Sequence, residues 1–323
     1  MFYDLIASLG PATEAPDTLK TLRDAGVTGF RLNTSHLSLQ DLGRWRERLH
    51  KLFGQPLPMP LTLDLQGSKW RLGDFRAFVL REGRPVELIL GRQAHQPGVL
   101  PVPHPDFFQA VRSCPGEIVL NDAKSALRIA SACSDRIRAT IVKGGEIAPN
   151  KGITLPGSEY RKESLSEKDT QIFAESREWP AVRYALSYVR DAVEMASYRT
   201  IFGPTYHLIA KLERAPALED VPGIAQRADE LWLCRGDLGA EMGPRAMAEA
   251  VHRFSGNLDS CRRPVLLAGQ VMEHMVEYAS PTRSEICYLL EALTAGFRGI
   301  VLSDETAIGR YPLEACRAAA LFR

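Results

Sequence analysis

Eight short apolar segments of strand character alternate with amphipathic helical ones along 323 residues. A stretch dense in proline and glycine interrupts that alternation after the third strand, and the turn after the first, Gly10-Pro11-Ala12, is no GxGxxG fingerprint. These three observations predict an α/β fold: a closed (β/α)8 TIM barrel with a small β-rich domain inserted after strand 3, in preference to an open doubly wound sheet. The expected partition is residues 1–70 for the first part of the barrel, 71–157 for the inserted β-rich lid domain and 158–323 for the rest of the barrel.

The predicted elements run as follows. Leu5–Leu9 is a strand ending at Gly10-Pro11, and Pro16–Ala25 an amphipathic helix closed by Gly26. Val27–Leu32 is the second strand, Leu39–Phe53 a helix, and Leu61–Leu65 the third strand, ending at Gln66-Gly67. Five short β-like runs follow: Phe75–Leu80, Val86–Leu90, Ile118–Leu120, Ala126–Ala130 and Arg136–Lys143. Ser164 or Ser166 then caps a helix through Glu178, with Glu167 in its acidic first turn. Ala181–Leu186, His207–Leu212, Glu230–Cys234, Pro264–Ala268 and Gly299–Leu302 are the five remaining strands. Between and after them lie helices at Asp191–Ile201, Glu219–Arg227, Met247–Ser260, Thr282–Ala295 and Pro312–Phe322.

Composition narrows the class. At 45% hydrophobic and 24% charged the chain is ordinary for a soluble domain, and a net charge of +1 gives no field for gripping nucleic acid. No apolar stretch reaches the ~18 residues needed to cross a bilayer. Cys114, Cys133, Cys234, Cys261, Cys287 and Cys316 show no CxxC spacing and lie mostly in apolar stretches, so they read as buried thiols of a reducing compartment. The start, Met1-Phe2-Tyr3-Asp4, lacks a basic leader segment, and the expected location is cytoplasmic.

The chemistry sits at the predicted strand ends. Lys211 and Glu213 are two apart in a strand and so share a face. Asp237 arrives from the next strand in what reads as a glycine-flanked turn. Two carboxylates beside a lysine suit a hard divalent cation that holds a phosphorylated anion. Either piece alone reads as a weak surface ion pair. Arg31, Lys69, Arg71 and Arg235, with Asp64, are charges brought to the same mouth, and that collection is what a metal–phosphate complex needs.

The strings SLGPA, FRLNTSH, LTLDLQGSKWR, KGITLPG, ALSYVR, IAKLER, CRGDLGAEM, SPTRSE and VLSDETAIGRYPLEA, in that order from Ile6 to Ala315, resemble the pyruvate kinase family. The resemblance implies transfer of a phosphoryl group between phosphoenolpyruvate and ADP through a pyruvate enolate. It implies Glu213 and Asp237 as ligands of Mg2+ or Mn2+, and Lys211 as the lysine facing the transferring group and the enolate oxygen. Arg31 matches the phosphate-binding arginine, with Asn33, His36 and Lys151 near the nucleotide phosphates and Arg71 securing the ADP or ATP co-substrate. The backbone of Arg235-Gly236-Asp237 would face the substrate carboxylate. Asn33, Ser35 and Asp64 match positions around the family's monovalent cation.

Several positions depart from the family pattern. Lys69 resembles the subset that works without K+, because a tethered ammonium replaces the bound cation. Gly269 replaces a threonine beside the enolpyruvate; its loss either weakens a proton relay worth ~10²–10⁴ in rate, enlarges the pocket, or eases the strand-to-helix turn. Arg214 stands where asparagine is common, and Tyr288 and Glu291 alter a helix that packs subunits in the family. The family's C-terminal allosteric domain is not expected after Arg323, so a monomer or dimer is expected in place of a tetramer. Three readings follow: a K+-independent pyruvate kinase, a paralogue doing metal-dependent decarboxylation, aldol cleavage or tautomerisation of another keto acid, and a non-catalytic phosphoenolpyruvate-binding protein. All three take a small-molecule partner, with no nucleic acid and no membrane.

Overall fold

A computed structural model describes residues 1–114, 116–121, 123–158 and 165–323. Two compact units emerge: one of Met1–Gly67, Leu165–Gly236 and Glu249–Arg323, the other of Ser68–Ser164 and Asp237–Ala248.

The first unit is a closed barrel of eight parallel strands in chain order: Asp4–Leu9, Gly29–Asn33, Leu61–Leu65, Val182–Leu186, His207–Leu212, Glu230–Cys234, Val265–Ala268 and Gly299–Leu302. The eighth pairs with the first, Asp4 opposite Gly299 and Ala7 opposite Leu302, so no edge is left unpaired. These segments are strands because they are short, mostly apolar runs, buried on both faces by the barrel interior and the outer helices. Inside, Ile6, Ala185, Ile209, Trp232, Cys234, Leu266, Ala268 and Val301 pack into one cluster. Trp232 is the largest of them, and its indole N–H donates to Glu230 Oε1 at 2.6 Å. The interior is therefore filled, and only the strands' C-terminal ends are left to carry chemistry.

Helix starts follow the sequence signals. Ser38, Ser166 and Thr282 each close a capping box with the acid three residues on: Asp41, Asp169 and Glu285. Ser166 is thus the cap of Glu167–Ser176, while Ser164 lies outside the described residues. Asp169 has a second task. Its two carboxylate oxygens accept the N–H groups of Gln66 and Gly67, both at 3.0 Å, tying the third strand's exit to a helix 102 residues further on. At Gly67 a side chain is impossible: φ is +54° and a Cβ would lie 2.4 Å from the Ser187 carbonyl oxygen.

The second unit holds a six-stranded sheet in the order Ile153–Thr154, Glu117–Leu120, Ser125–Ala132, Arg136–Lys143, Pro85–Leu90 and Val99–Val102. It has its own core, with Leu88, Leu100, Phe107, Phe108, Ile118, Leu127 and Ile137 all buried. Each buried large side chain of that core contributes about 1.5–3 kcal/mol of apolar burial. Four of the six strands lie on runs that were foreseen; Val99–Val102, Ile153–Thr154 and the helix Pro105–Ser113 were not.

Three other expectations are corrected. Arg235-Gly236-Asp237 is no loop turn: the sixth strand passes directly into a helix, Arg235–Met242. The helix expected over residues 219–227 is two short ones, Ala215–Glu219 and Val221–Ala225. All six cysteines are free, but only Cys234 and Cys316 are buried; Cys133 and Cys287 are exposed.

Candidate active site

At the C-terminal ends of the barrel strands, register brings a set of charges together. Ser8 pairs with Arg31 across the first two strands, and Asp64 lies opposite Asn33 and Ala185. The Arg31 guanidinium donates through Nε to Asp64 Oδ2 at 2.7 Å and through Nη1 to Ser8 Oγ at 2.6 Å, with Nη2 also 2.7 Å from Asp64. Lys211 Nζ lies 3.1 Å from Asp64, 2.9 Å from Ser187 Oγ and 2.9 Å from Glu213 Oε1. Glu213 Oε2 in turn accepts the Tyr188 N–H at 2.7 Å. Tyr188 has a left-handed φ of +64°, and the Arg214 guanidinium stands 5.5 Å from its ring.

This cluster is buried, with Asp64 2% and Glu213 1% exposed, and formally neutral, two cations against two carboxylates. Burial works against every charge in it, but the opposite charges prevail. Lys211 and Arg31 pull the Asp64 carboxyl down to about 2 against that penalty. Burial would lower Arg31 and Lys211, yet Asp64 raises Arg31 and Asp64 with Glu213 raises Lys211 above their ordinary values. A carboxyl near 2, against ~3.9 unfolded, contributes roughly 2 kcal/mol of stability at neutral pH. Between about pH 4 and pH 2 the unfolded chain binds the proton first, so that contribution fades as pH falls. The stability gap between the parent and Asp64→Asn, measured by urea unfolding, is expected to narrow across this window. A gap independent of pH would contradict it.

The other foreseen residues divide between the units. In the barrel, Asn33 Oδ1 accepts the Ser35 N–H at 3.2 Å, starting the short turn Thr34–His36 that carries His36. The Ser35 carbonyl accepts from Lys168 at 3.2 Å. In the second unit, Lys69 forms an ion pair with Asp237, with the two side chains 8% and 13% exposed. There too, Arg71 bridges Gly152, its Nη1 donates to the Asn150 carbonyl at 2.8 Å, and the Lys151 carbonyl accepts the Leu72 N–H at 2.9 Å. Arg71 Nε is buried without a hydrogen bond.

Gly269 contradicts the enlarged-pocket expectation. Its φ is +80°, and a Cβ there would sit 2.9 Å from the Gly236 amide nitrogen and 3.3 Å from that of Arg235. Main chain already fills the space a side chain would need. The Arg235 side chain turns to this loop, donating to the carbonyls of Gly269 and Gln270. Ser8, Ser187, Tyr188 and Arg214 were not foreseen as site residues. For the two serines a signal existed, since each lies two residues beyond an inward apolar residue, Ile6 and Ala185.

Among the described residues no group of three or more His, Cys, Asp or Glu gathers as a metal cage. The foreseen donors are carboxylates, the ligand type that Mg2+ or Mn2+ takes. Such an ion is held by one or two carboxylates plus substrate oxygens and water.

Among the described residues no helix is long and apolar enough to cross a membrane. The family model described as pyruvate kinase, barrel domain, matches residues 3–316. The chain is 32% identical over 317 residues to a pyruvate kinase of Agrobacterium vitis, covering 96% of this chain and 65% of that protein. It is 30% identical over 324 residues to one from Mycobacterium tuberculosis, with 97% and 67% covered. It is 29% identical to the human pyruvate kinase PKLR, with 97% and 58% covered. The chain thus spans about two thirds or less of the length of the relatives it matches.

Proposed function

This chain belongs to the pyruvate kinase family, and on that premise we propose that it moves a phosphoryl group from phosphoenolpyruvate to ADP without needing K+. In that step the bond from phosphorus to the enol oxygen breaks and one to a terminal oxygen of ADP forms. The enolate left behind then takes a proton at carbon and becomes pyruvate.

The observation that carries the reading is the buried, neutral set Arg31, Asp64, Lys211 and Glu213. A set already balanced by its own charges receives an anionic substrate only together with added positive charge. Glu213 and Asp237 would hold Mg2+ or Mn2+, which when bound neutralises phosphoryl and enolate oxygens. Arg31 spends three N–H contacts on Asp64 and Ser8 out of its five donors, which leaves a planar edge for phosphate. Lys211 has three donors and three oxygen-bearing neighbours; it stabilises the developing enolate by exchanging one of them for the substrate. Because these dipoles are set before substrate arrives, little reorganisation is left for the reaction itself. Asn33, His36, Arg71 and Lys151 are assigned to the nucleotide phosphates, and the buried unbonded N–H of Arg71 supports that role. The Lys69–Asp237 pair supports independence from K+, since the ammonium supplies a monovalent charge on a tether.

The test is a coupled assay of pyruvate formation from phosphoenolpyruvate, ADP and Mg2+. Equal rates with and without K+ are expected. No pyruvate would sink the kinase reading, and metal-dependent exchange of pyruvate's methyl protons in its place would favour chemistry on a different keto acid.

A further inference from the structure

Beyond the charged cluster, the barrel mouth has a second built feature where the sixth and seventh strands end. Cys234 and Ala268 pair in register, so the segments leaving these strands run side by side. After Ala268 the chain takes two left-handed residues in succession, Gly269 at φ +80° and Gln270 at φ +55°. The second is not a glycine, and such a conformation costs about 1–3 kcal/mol unless its surroundings impose it.

Arg235 imposes it. Its Nε and Nη2 reach the Gly269 carbonyl at 3.1 and 2.8 Å, and Nη2 also reaches the Gln270 carbonyl at 2.7 Å. The guanidinium lies over the Tyr288 ring, with 4.7 Å from the guanidinium carbon to the ring centroid. A planar fork that reads two carbonyls while stacked on an aromatic ring is a geometry lysine cannot reproduce. Gly269 completes the arrangement by letting its Cα approach the Gly236 amide, where any Cβ would collide.

We infer that Arg235 and Tyr288 are positioning residues that clamp the backbone after the seventh strand against the Arg235–Gly236 peptide, with Gly269 as the contact that lets the clamp close. The Arg235 guanidinium is a brace, not a ligand for substrate phosphate or carboxylate. The functional consequence rests on reading this mouth as the phosphoenolpyruvate site. On that reading, restoring threonine at 269 pushes the Gly236 amide out of place and harms the enzyme, hydroxyl or no hydroxyl.

Two measurements on the full chain test this. In the first, backbone hydrogen exchange over residues 265–272 is expected to rise about tenfold in Tyr288→Ala and in Arg235→Lys, while Tyr288→Phe, which keeps the ring, matches the parent. Unchanged exchange in Tyr288→Ala overturns the clamp, whether or not the chain turns over phosphoenolpyruvate. In the second, Gly269→Thr and Tyr288→Ala are each expected to lower kcat/KM for phosphoenolpyruvate by about 10- to 100-fold with KM for ADP unchanged, as for a misplacement of about 1 Å. A Gly269→Thr variant as good as the parent, or better, also overturns it. A parent chain with no kinase activity counts against the kinase reading alone, and the exchange result still decides the clamp.

Discussion

Lys211→Met is expected to lower the rate of pyruvate formation by about a thousandfold or more and to destabilise the fold by roughly 3–5 kcal/mol. Methionine keeps most of the length and the apolar stem, so the change removes little besides the ammonium. That ammonium lies between Asp64 and Glu213, both nearly inaccessible to water. Without it the two buried carboxylates lose the cation they share. The loss of stability comes from uncompensated buried charge, and the loss of rate from the missing cation at the enolate oxygen. Steady-state kinetics and urea unfolding on the same preparation separate the two. A variant within tenfold of the parent rate would remove Lys211 from the mechanism.

Lys69→Glu is expected to convert the protein into one that requires K+. Lys69 and Asp237 form a nearly buried ion pair, so the substitution sets two carboxylates against each other. At a 4 Å separation and an effective dielectric near 20 their repulsion is about 4 kcal/mol, enough for more than a hundredfold in rate. An added monovalent cation relieves that repulsion. The expected result is activity down by about a hundredfold in K+-free buffer and restored by saturating K+, while the parent ignores K+ throughout. A Lys69→Glu variant equally active without K+ would show that the ammonium never stood in for the ion.

How much of this was legible in the chain depended on the range of the forces involved. The strands Leu61–Leu65, His207–Leu212, Glu230–Cys234 and Gly299–Leu302 were readable end to end because each is a short, mostly apolar run with a polar residue just beyond its C-terminal end. The face shared by Lys211 and Glu213 was readable from the two-residue period alone. The helix Pro105–Ser113 was missed although Pro105 occupies its first turn and Phe107, Phe108, Ala110 and Val111 form its buried stripe. Its apolar run was absorbed into a β-rich surrounding. The helix Arg235–Met242 was missed for the opposite reason, since two glycines argue locally for a turn and tertiary packing overrides them. Ser8 against Arg31, Ser187 against Lys211, and Arg235 against Gly269 were beyond reach. Such contacts depend on which strands are neighbours and in what register, and no short window of sequence holds that information.

The hydrogen bonds from Gln66 and Gly67 to Asp169 bear on how the barrel assembles. Joining points 102 residues apart costs about 4 kcal/mol of chain entropy, yet doubling the intervening length adds only about 0.6. Through those two amides the aspartate joins the barrel's third strand to the helix that leads into its fourth. What is threaded between them can lengthen or shrink at little entropic cost to the cylinder.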